Sequence, residues 1–161
     1  MFETIIAALV ARGIRFVVVG GVAATVHGSA RFTNDLDICY DAAADNIERL
    51  IAILAEWKAY LRGVEAGLPF ILDERTFRTT PIMTLTTTQG AIDLLDQVPG
   101  VGDYAAVRAQ SEPVRIGATE FRALTIEALI ASKRAVRRKK DVEQLIELEA
   151  ILALRRRGRE R

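Results

Sequence analysis

The sequence predicts a mixed α/β domain of the α+β class, with one sheet flanked by helices and a helical C-terminal extension. Its 161 residues fit a single core, and a composition that is 50% hydrophobic and 27% charged excludes wholesale disorder. Short β-branched runs alternate with helical periodicity in the first half of the chain, and two hairpin signals follow in the second. This order of elements is typical of one mixed sheet covered by helices.

The first four elements alternate between helix and strand. Apolar residues at helical spacing predict a helix over Phe2–Ala11, which Gly13 ends. The continuous apolar run Phe16–Val19 indicates a strand buried on both faces. Small residues predict a short helix over 22–27, and a second strand is expected over 35–40.

A third helix is expected to open at Asp45, with Glu48 completing a capping box. Residues 58–79 are irregular and predict a loop with a short strand and a turn. A Thr-rich run over 82–88 and an apolar run over 91–95 flank a turn, which predicts a hairpin.

The last part of the chain begins with a break at Pro99 and Gly100 and a short helix over 104–109. A second hairpin pairs 114–116 with 120–124. From residue 125 the pattern predicts two helices, separated by a break near 138–140.

We expect a single domain over residues 1–154, with its core at about 14–124 and a helical extension over 125–154. The arginine-rich residues 155–161 are expected to form a mobile tail.

Net charge argues against a surface built wholly for nucleic acid, because it is only +1. The charge is unevenly distributed, since residues 133–161 carry 11 of the 22 basic side chains and only 5 acidic ones. A single cysteine, Cys39, forms no internal disulfide, and neither a signal peptide nor a membrane span is indicated. We therefore expect a cytoplasmic protein that does not bind membranes.

Two carboxylates at alternate positions of the second strand are the sharpest chemical feature. Asp35 and Asp37 should share one face, about 6–7 Å apart, while Leu36 and Ile38 point to the other. Such a pair can bind divalent ions from one side, but by itself it is better explained as solvated strand-end residues. Asp93 favours the first explanation, because a carboxylate inside a short apolar strand is costly unless a charge or a metal compensates it. Together the three acids predict an oxygen-ligand site of the kind that holds Mg²⁺.

Gly20 and Gly21 follow the first strand directly. Glycines there let the backbone approach a ligand, and the N-terminus of a following helix offers unpaired N–H groups to a phosphate. The same pair is also common in ordinary tight turns.

Taken together, these motifs resemble the nucleotidyltransferase fold of the DNA polymerase β-like superfamily. More narrowly, the sequence is similar to bacterial abortive-infection and toxin–antitoxin nucleotidyltransferases. The similarity runs from about residue 16 to about residue 148. The residues that carry it are Val19-Gly20-Gly21-Val22-Ala23, His27-Gly28, Arg31, Thr33, Asp35-Leu36-Asp37, Asp93, Lys133, Arg137 and Lys140-Asp141.

The resemblance implies roles for these residues. Asp35, Asp37 and Asp93 would bind Mg²⁺ or Mn²⁺, and Asp93 would also help to deprotonate the attacking hydroxyl. Gly20 and Gly21 would cradle the phosphates, and Lys133 would neutralise their charge. Gly21 departs from much of the superfamily, where a serine often stands, and leaves only backbone contact there.

Other residues of the motif have two explanations each. Arg31 either reaches phosphate or pairs with an acid such as Asp41. Thr33 is expected to order the loop before the strand through a bond to the backbone. Asp141 either caps the last helix together with Gln144 or lies at the rim of the site. His27 is expected to pack or cap rather than bind metal.

The predicted function is Mg²⁺-dependent transfer of a nucleoside monophosphate from a nucleoside triphosphate to an acceptor hydroxyl. The acceptor is RNA, a protein or a small molecule, and the context is a toxin–antitoxin or phage-defence system. The alternative is a catalytically weak, antitoxin-like or regulatory module that acts through a partner protein.

Overall fold

The computed structural model describes residues 2–65, 67–136 and 138–160. Helices in this part of the chain span Phe2–Ala11 (α1), Gly20–Val26 (α2), Ala44–Glu56 (α3), Glu74–Thr79 (α4), Tyr104–Ala109 (α5), Ile126–Val136 (α6) and Lys139–Arg159 (α7). Strands span Phe16–Val19 (β1), Asp35–Tyr40 (β2), Tyr60–Leu61 (β3), Ile82–Thr87 (β4), Gly90–Leu95 (β5), Gln97–Val98 (β6), Gly102–Asp103 (β7), Ser111–Ile116 (β8) and Thr119–Leu124 (β9).

Seven of these strands form one mixed sheet in the order β3-β4-β5-β2-β1-β9-β8. The central strand β2 is antiparallel to β1 and parallel to β5, and β1 is parallel to β9. The hairpins β4–β5 and β8–β9 extend the two sides. The α+β fold class predicted from the sequence is therefore confirmed.

The core lies on both faces of the central strands. All four residues of β1 are buried, as their continuous apolar run predicts. In β2 the even positions Leu36 and Ile38 are fully buried, while Asp35 and Asp37 are partly exposed on the other face. Helix α2 packs against β1, β2 and α6, and α6 packs against α7. The double glycine, the two aspartates and the C-terminal helices thus meet at one end of the sheet.

Two predicted helix caps are wrong. Helix α3 begins one residue before Asp45 and has no side-chain cap, because the Asp45 carboxylate instead accepts two bonds from the guanidinium of Arg15. Helix α7 begins at Lys139, also without a side-chain cap. Asp141 is therefore inside its first turn, and it pairs with Lys133 rather than with the backbone.

The C-terminal arginines up to Arg159 belong to helix α7. Arg155 donates hydrogen bonds to the ring and the carbonyl oxygen of His27.

The irregular segment over 58–79 contains the expected short strand β3 and an unexpected helix α4. Asp73 caps this helix by accepting a hydrogen bond from the amide of Thr76. Arg137, one of the residues in the motif, is outside the described residues, as is the side chain of Lys140. No helix in the described part of the chain is long and apolar enough to cross a bilayer.

Candidate active site

Three carboxylates face one cavity of about 480 Å³ at the end of the central strands. Asp37 in β2 is paired in register with Asp93 in the parallel neighbour β5, and Asp35 is two residues away on the same face. The same register puts Leu36 opposite Ile92 on the buried face. The alternation of side chains that the sequence predicts therefore brings the three acids together.

Gly20 makes room for one of these carboxylates. It begins α2 with φ of +62°, and a Cβ placed on it would lie 2.0 Å from Oδ2 of Asp37. The backbone conformation and the close contact both require glycine here. The aspartate therefore packs directly on the junction of β1 and α2.

Gly21 leaves space for the side chain of Thr33 in the same way. A Cβ on Gly21 would lie 2.8 Å from Oγ1 of Thr33, and that hydroxyl donates to the carbonyl oxygen of Asp35 at 3.2 Å. Thr33 thus orders the loop before β2, as its position predicts. The Gly-Gly pair shapes the site by letting two neighbouring side chains approach the helix start.

Asp37 is in an unfavourable environment for a charge. Its Oδ1 is buried without a hydrogen-bond partner among the described residues. Burial, followed by the negative charge of Asp93 and a hydrogen bond between the two carboxyl groups, raises the pKa of Asp37 to about 7. The nearby charge of Lys133 opposes this shift. Below about pH 7 the two acids therefore hold a proton, which a bound cation would displace.

Arg62 contributes a positive charge beside two of these acids, and no sequence pattern predicts it there. Its Nη2 donates to Oδ1 of Asp93 at 2.7 Å and to the carbonyl oxygen of Leu85 at 2.8 Å, and its Nη1 lies 3.5 Å from Oδ2 of Asp35. The guanidinium thus lies between two of the three acids. It follows the short strand β3 in the irregular segment, where no periodicity or spacing could mark it.

A carboxylate set of this kind is suited to a hard divalent cation, because Mg²⁺ and Mn²⁺ prefer oxygen ligands. The unpartnered Oδ1 of Asp37 supplies an oxygen that such a cation would satisfy. As the side chains stand, no group of three His, Cys, Asp or Glu residues within the described ranges is placed to hold a metal ion. The guanidinium of Arg62 takes up the charge of Asp35 and Asp93 instead.

A second wall of the cavity comes from α6 and α7. Nζ of Lys133 lies 2.7 Å from Oδ1 of Asp141, and both side chains are largely buried. Arg138 approaches the other oxygen of Asp141 at 3.7 Å. Lys133 therefore lines the same cavity as the three carboxylates and is held there by Asp141.

The loop between α2 and β2 is held against α7. Glu147 accepts hydrogen bonds from the Ser29 hydroxyl and the Ala30 amide, and Glu143 accepts one from Arg31. Of the two explanations for Arg31, pairing with an acid is the one seen, but its partner is Glu143. Asp41 pairs with Arg15 instead.

His27 is buried at the end of α2 and makes no hydrogen bond or ion pair with Asp35, Asp37 or Asp93. Its Nε2 lies 2.8 Å from the carbonyl oxygen of Leu124, and its Nδ1 faces Arg155. With Nε2–H donating to the carbonyl, Nδ1 accepts from the guanidinium. His27 thus joins α2, β9 and α7, in agreement with the predicted packing and capping role.

The double glycine between a strand and a helix, with three strand carboxylates beside it, agrees with the resemblance of the sequence to nucleotidyltransferases. Residues 5–140 match the family described as the nucleotidyl transferase AbiEii toxin of a type IV toxin–antitoxin system. The chain belongs to this family, and it is a nucleotidyltransferase of the toxin–antitoxin class that its sequence resembles.

Solved nucleotidyltransferases share the fold. The lincosamide antibiotic adenylyltransferase LnuA, solved with lincomycin bound, has a TM-score of 0.63 and 14% identity, over 93% of this chain and 95% of its own. A candidate nucleotidyltransferase of Thermotoga maritima has a TM-score of 0.53 and 14% identity, over 99% of this chain and 94% of its own. The antibiotic-resistance factor ANT(2'')-Ia has a TM-score of 0.54 and 14% identity, over 99% and 91%. At this identity they establish the fold alone. No curated protein matches the chain.

Proposed function

We propose that this chain transfers a nucleoside monophosphate from a nucleoside triphosphate to an acceptor hydroxyl, with Asp35, Asp37 and Asp93 holding the divalent cation. The observation that carries the proposal is the meeting of three carboxylates on adjacent strands at the double glycine, with one buried oxygen of Asp37 unpartnered in the described structure. Oxygen donors on one face suit Mg²⁺ or Mn²⁺, which when bound would neutralise the triphosphate and polarise the reacting oxygens.

Different residues of the chain have different roles in the proposed reaction. Gly20 and Gly21 line the two adjoining cavities, and their backbone would contact the phosphate oxygens there. Lys133 lines both cavities and supplies a positive charge. The acceptor oxygen attacks the α-phosphorus, the bond from that phosphorus to the bridging oxygen breaks, and pyrophosphate leaves. Asp93 takes the proton of the acceptor hydroxyl, since it lies beside Asp37 on the same face.

Arg31 has a less direct place in this proposal. It lines a neighbouring cavity and is held by Glu143 on α7. We propose that it contacts the part of the triphosphate that extends into this cavity from the carboxylate cavity, and that Thr33 and Asp141 position the loop and Lys133 respectively. These roles follow from the contacts of each side chain and from the resemblance.

The acceptor, the partner and the location form the remainder of the proposal. The acceptor is RNA, a protein or a small molecule, and the type IV toxin–antitoxin family implies a cognate antitoxin. The proposed location is the cytoplasm, which is consistent with a nucleoside triphosphate substrate. The rival proposal, a regulatory module with weak chemistry, is favoured by one observation: the Arg62 guanidinium engages two of the three acids.

Calorimetry distinguishes the two proposals. Wild-type protein is titrated with each of the four nucleoside triphosphates in Mg²⁺, beside Asp35→Ala and Asp37→Ala. The control is Glu74→Ala, which removes an exposed acid that pairs only with Arg78 among the described residues. Nucleotidyl transfer requires binding that the two site variants abolish and the control retains. Absence of such binding would support the regulatory module.

The acceptor is identified by transfer of a label. Wild-type protein and Asp37→Ala are incubated with α-³²P-labelled triphosphates and with total RNA, protein lysate or a panel of small hydroxylated molecules. The label is expected to enter one of these classes only with wild-type protein. Equal labelling by both proteins would contradict the role of Asp37.

A further inference from the structure

A second cavity, of about 270 Å³, adjoins the carboxylate cavity. The two share Thr33, Lys133 and Asp141, so a ligand with its charged end at Lys133 can extend from one into the other. The second cavity lies between the loop after α2 and the first turns of α7. Its lining contains no carboxylate other than Asp141, which is neutralised by Lys133.

Phe32 presents an aromatic ring at this cavity. The residue is 88% exposed, the highest value among the exposed large apolar residues described. The loop that carries it is fixed on both sides, since Arg31 is held by Glu143 and Thr33 by the backbone of Asp35. A ring held in place without packing is available to stack on a planar ligand.

Gln144 supplies a polar group in the same cavity. The residue is 9% exposed and lines the cavity from α7, and its side-chain amide makes no hydrogen bond to another described residue. Its amide oxygen and nitrogen are accessible from the cavity, since neither is a buried atom without a hydrogen-bond partner. The amide therefore has one acceptor and two donors available to a ligand in this cavity.

From these observations we propose that the second cavity is the nucleobase subsite for the triphosphate, with Phe32 stacking on the base and Gln144 reading its edge. This inference rests on the proposed nucleotidyl transfer and extends it to the part of the substrate beyond the phosphates. Stacking on an aromatic ring is tolerant of base identity, because every base has a π-face. An amide discriminates between bases through the donor and acceptor pattern of the base edge. The two residues thus contribute affinity and selectivity respectively.

Calorimetry with and without a base on the ligand tests the proposal. Wild-type protein, Phe32→Ala and Phe32→Trp are titrated in Mg²⁺ with the four nucleoside triphosphates and with inorganic tripolyphosphate. Phe32→Ala is expected to weaken binding of all four nucleotides by roughly 5- to 100-fold and to leave tripolyphosphate binding unchanged. Phe32→Trp retains the affinity, and the fluorescence of the new, exposed tryptophan is quenched by nucleotide but not by tripolyphosphate.

Gln144→Glu tests the reading of the base edge, because it replaces the donors with an acceptor. It is expected to change the ranking of the four nucleotides, whereas Phe32→Ala lowers all of them together. The control is Ile116→Ala, which shortens an exposed apolar side chain on the distant β8–β9 hairpin and should alter no affinity.

The outcomes separate this inference from the proposed function. If wild-type protein binds no nucleotide, nucleotidyl transfer and the subsite are both overturned. If it binds nucleotides in a way that depends on Asp37 but Phe32→Ala binds them equally well, only the subsite is overturned. Equal weakening of nucleotide and tripolyphosphate by Phe32→Ala would also overturn it, because the ring would then act on the phosphates.

Discussion

Replacing Arg62 with glutamine tests whether its guanidinium balances the acidic cluster. The substitution removes the hydrogen bonds from Arg62 to Asp93 and Leu85. It also removes the positive charge that lies near the carboxylate of Asp35. Exposed ion pairs contribute about 0–1 kcal/mol, and breaking a fully buried one costs about 3–5 kcal/mol. The side chains of Arg62 and Asp93 are 29% and 19% exposed, which is between these cases. We therefore expect Arg62→Gln to lower the free energy of unfolding by about 2 kcal/mol in EDTA.

The assay is urea denaturation together with scanning calorimetry, in which 2 kcal/mol corresponds to a fall in Tm of roughly 4–8 °C for a domain of this size. Arg78→Gln is the matched control. Its partner Glu74 is one helical turn away and both side chains are more than half exposed, so a loss of only about 0.3–0.5 kcal/mol is expected. If Arg62→Gln costs no more than the control, the guanidinium does not balance the acids.

Manganese extends this test to the proposed cation site. A divalent cation and the guanidinium compete for Asp35 and Asp93, so Arg62→Gln should bind Mn²⁺ more tightly than wild-type protein does. Electron paramagnetic resonance of free Mn²⁺ measures this affinity directly. Saturating Mn²⁺ should also restore part of the lost stability, because a ligand of the folded state stabilises it by mass action. Weaker Mn²⁺ binding by the variant would show that Arg62 supports the cation site rather than competes for it.

Two further substitutions probe the same site from other sides. Because burial and Asp93 raise the pKa of Asp37 to about 7, from an ordinary value of 3.8, the folded protein retains a proton that the unfolded chain releases. In EDTA, stability is then expected to fall as the pH rises from about 4 to about 7, and Asp37→Asn should remove this slope and gain about 1–3 kcal/mol at pH 8. Urea titrations at several pH values check this, and parallel slopes for both proteins would refute it. Gly20→Ala places a Cβ 2.0 Å from Oδ2 of Asp37, whereas Gly117→Ala has a similar φ of +60° and nothing within 4 Å. We expect about 1 kcal/mol of destabilisation at Gly117 and at least 2 kcal/mol more at Gly20, measured by urea denaturation, and equal losses would refute the close contact.

Much of the fold could be predicted because local patterns control it. The apolar run of β1 and the alternation of β2 depend only on which faces of a strand are buried, and both are as predicted. The hairpins β4–β5 and β8–β9 follow from turn residues between β-prone runs. Helix α4 was not predicted, because its six residues are too few to show a periodicity.

The candidate site is also only partly predictable from the sequence. Asp35, Asp37 and Asp93 could be chosen from the sequence, since an acid in an apolar strand is unusual wherever the strand lies. The partners of the charged groups could not. Arg62 lies 31 residues from Asp93 along the chain, and Arg31 lies 112 residues from Glu143. The expected cap at Asp45 failed for the same reason, because Arg15 competes for its carboxylate.

The amino-acid sequence by itself therefore determined the class of fold, the face on which the acids lie and the family to which the chain belongs. These three properties depend on short-range periodicity and on the order of residue types along the chain, both of which can be read without the structure. Only the tertiary structure decided that Arg62 faces the acids, that Lys133 is held by Asp141, and that Phe32 and Gln144 share a cavity. Those contacts join segments that are distant in sequence, and packing of the whole sheet and its helices brings them within reach.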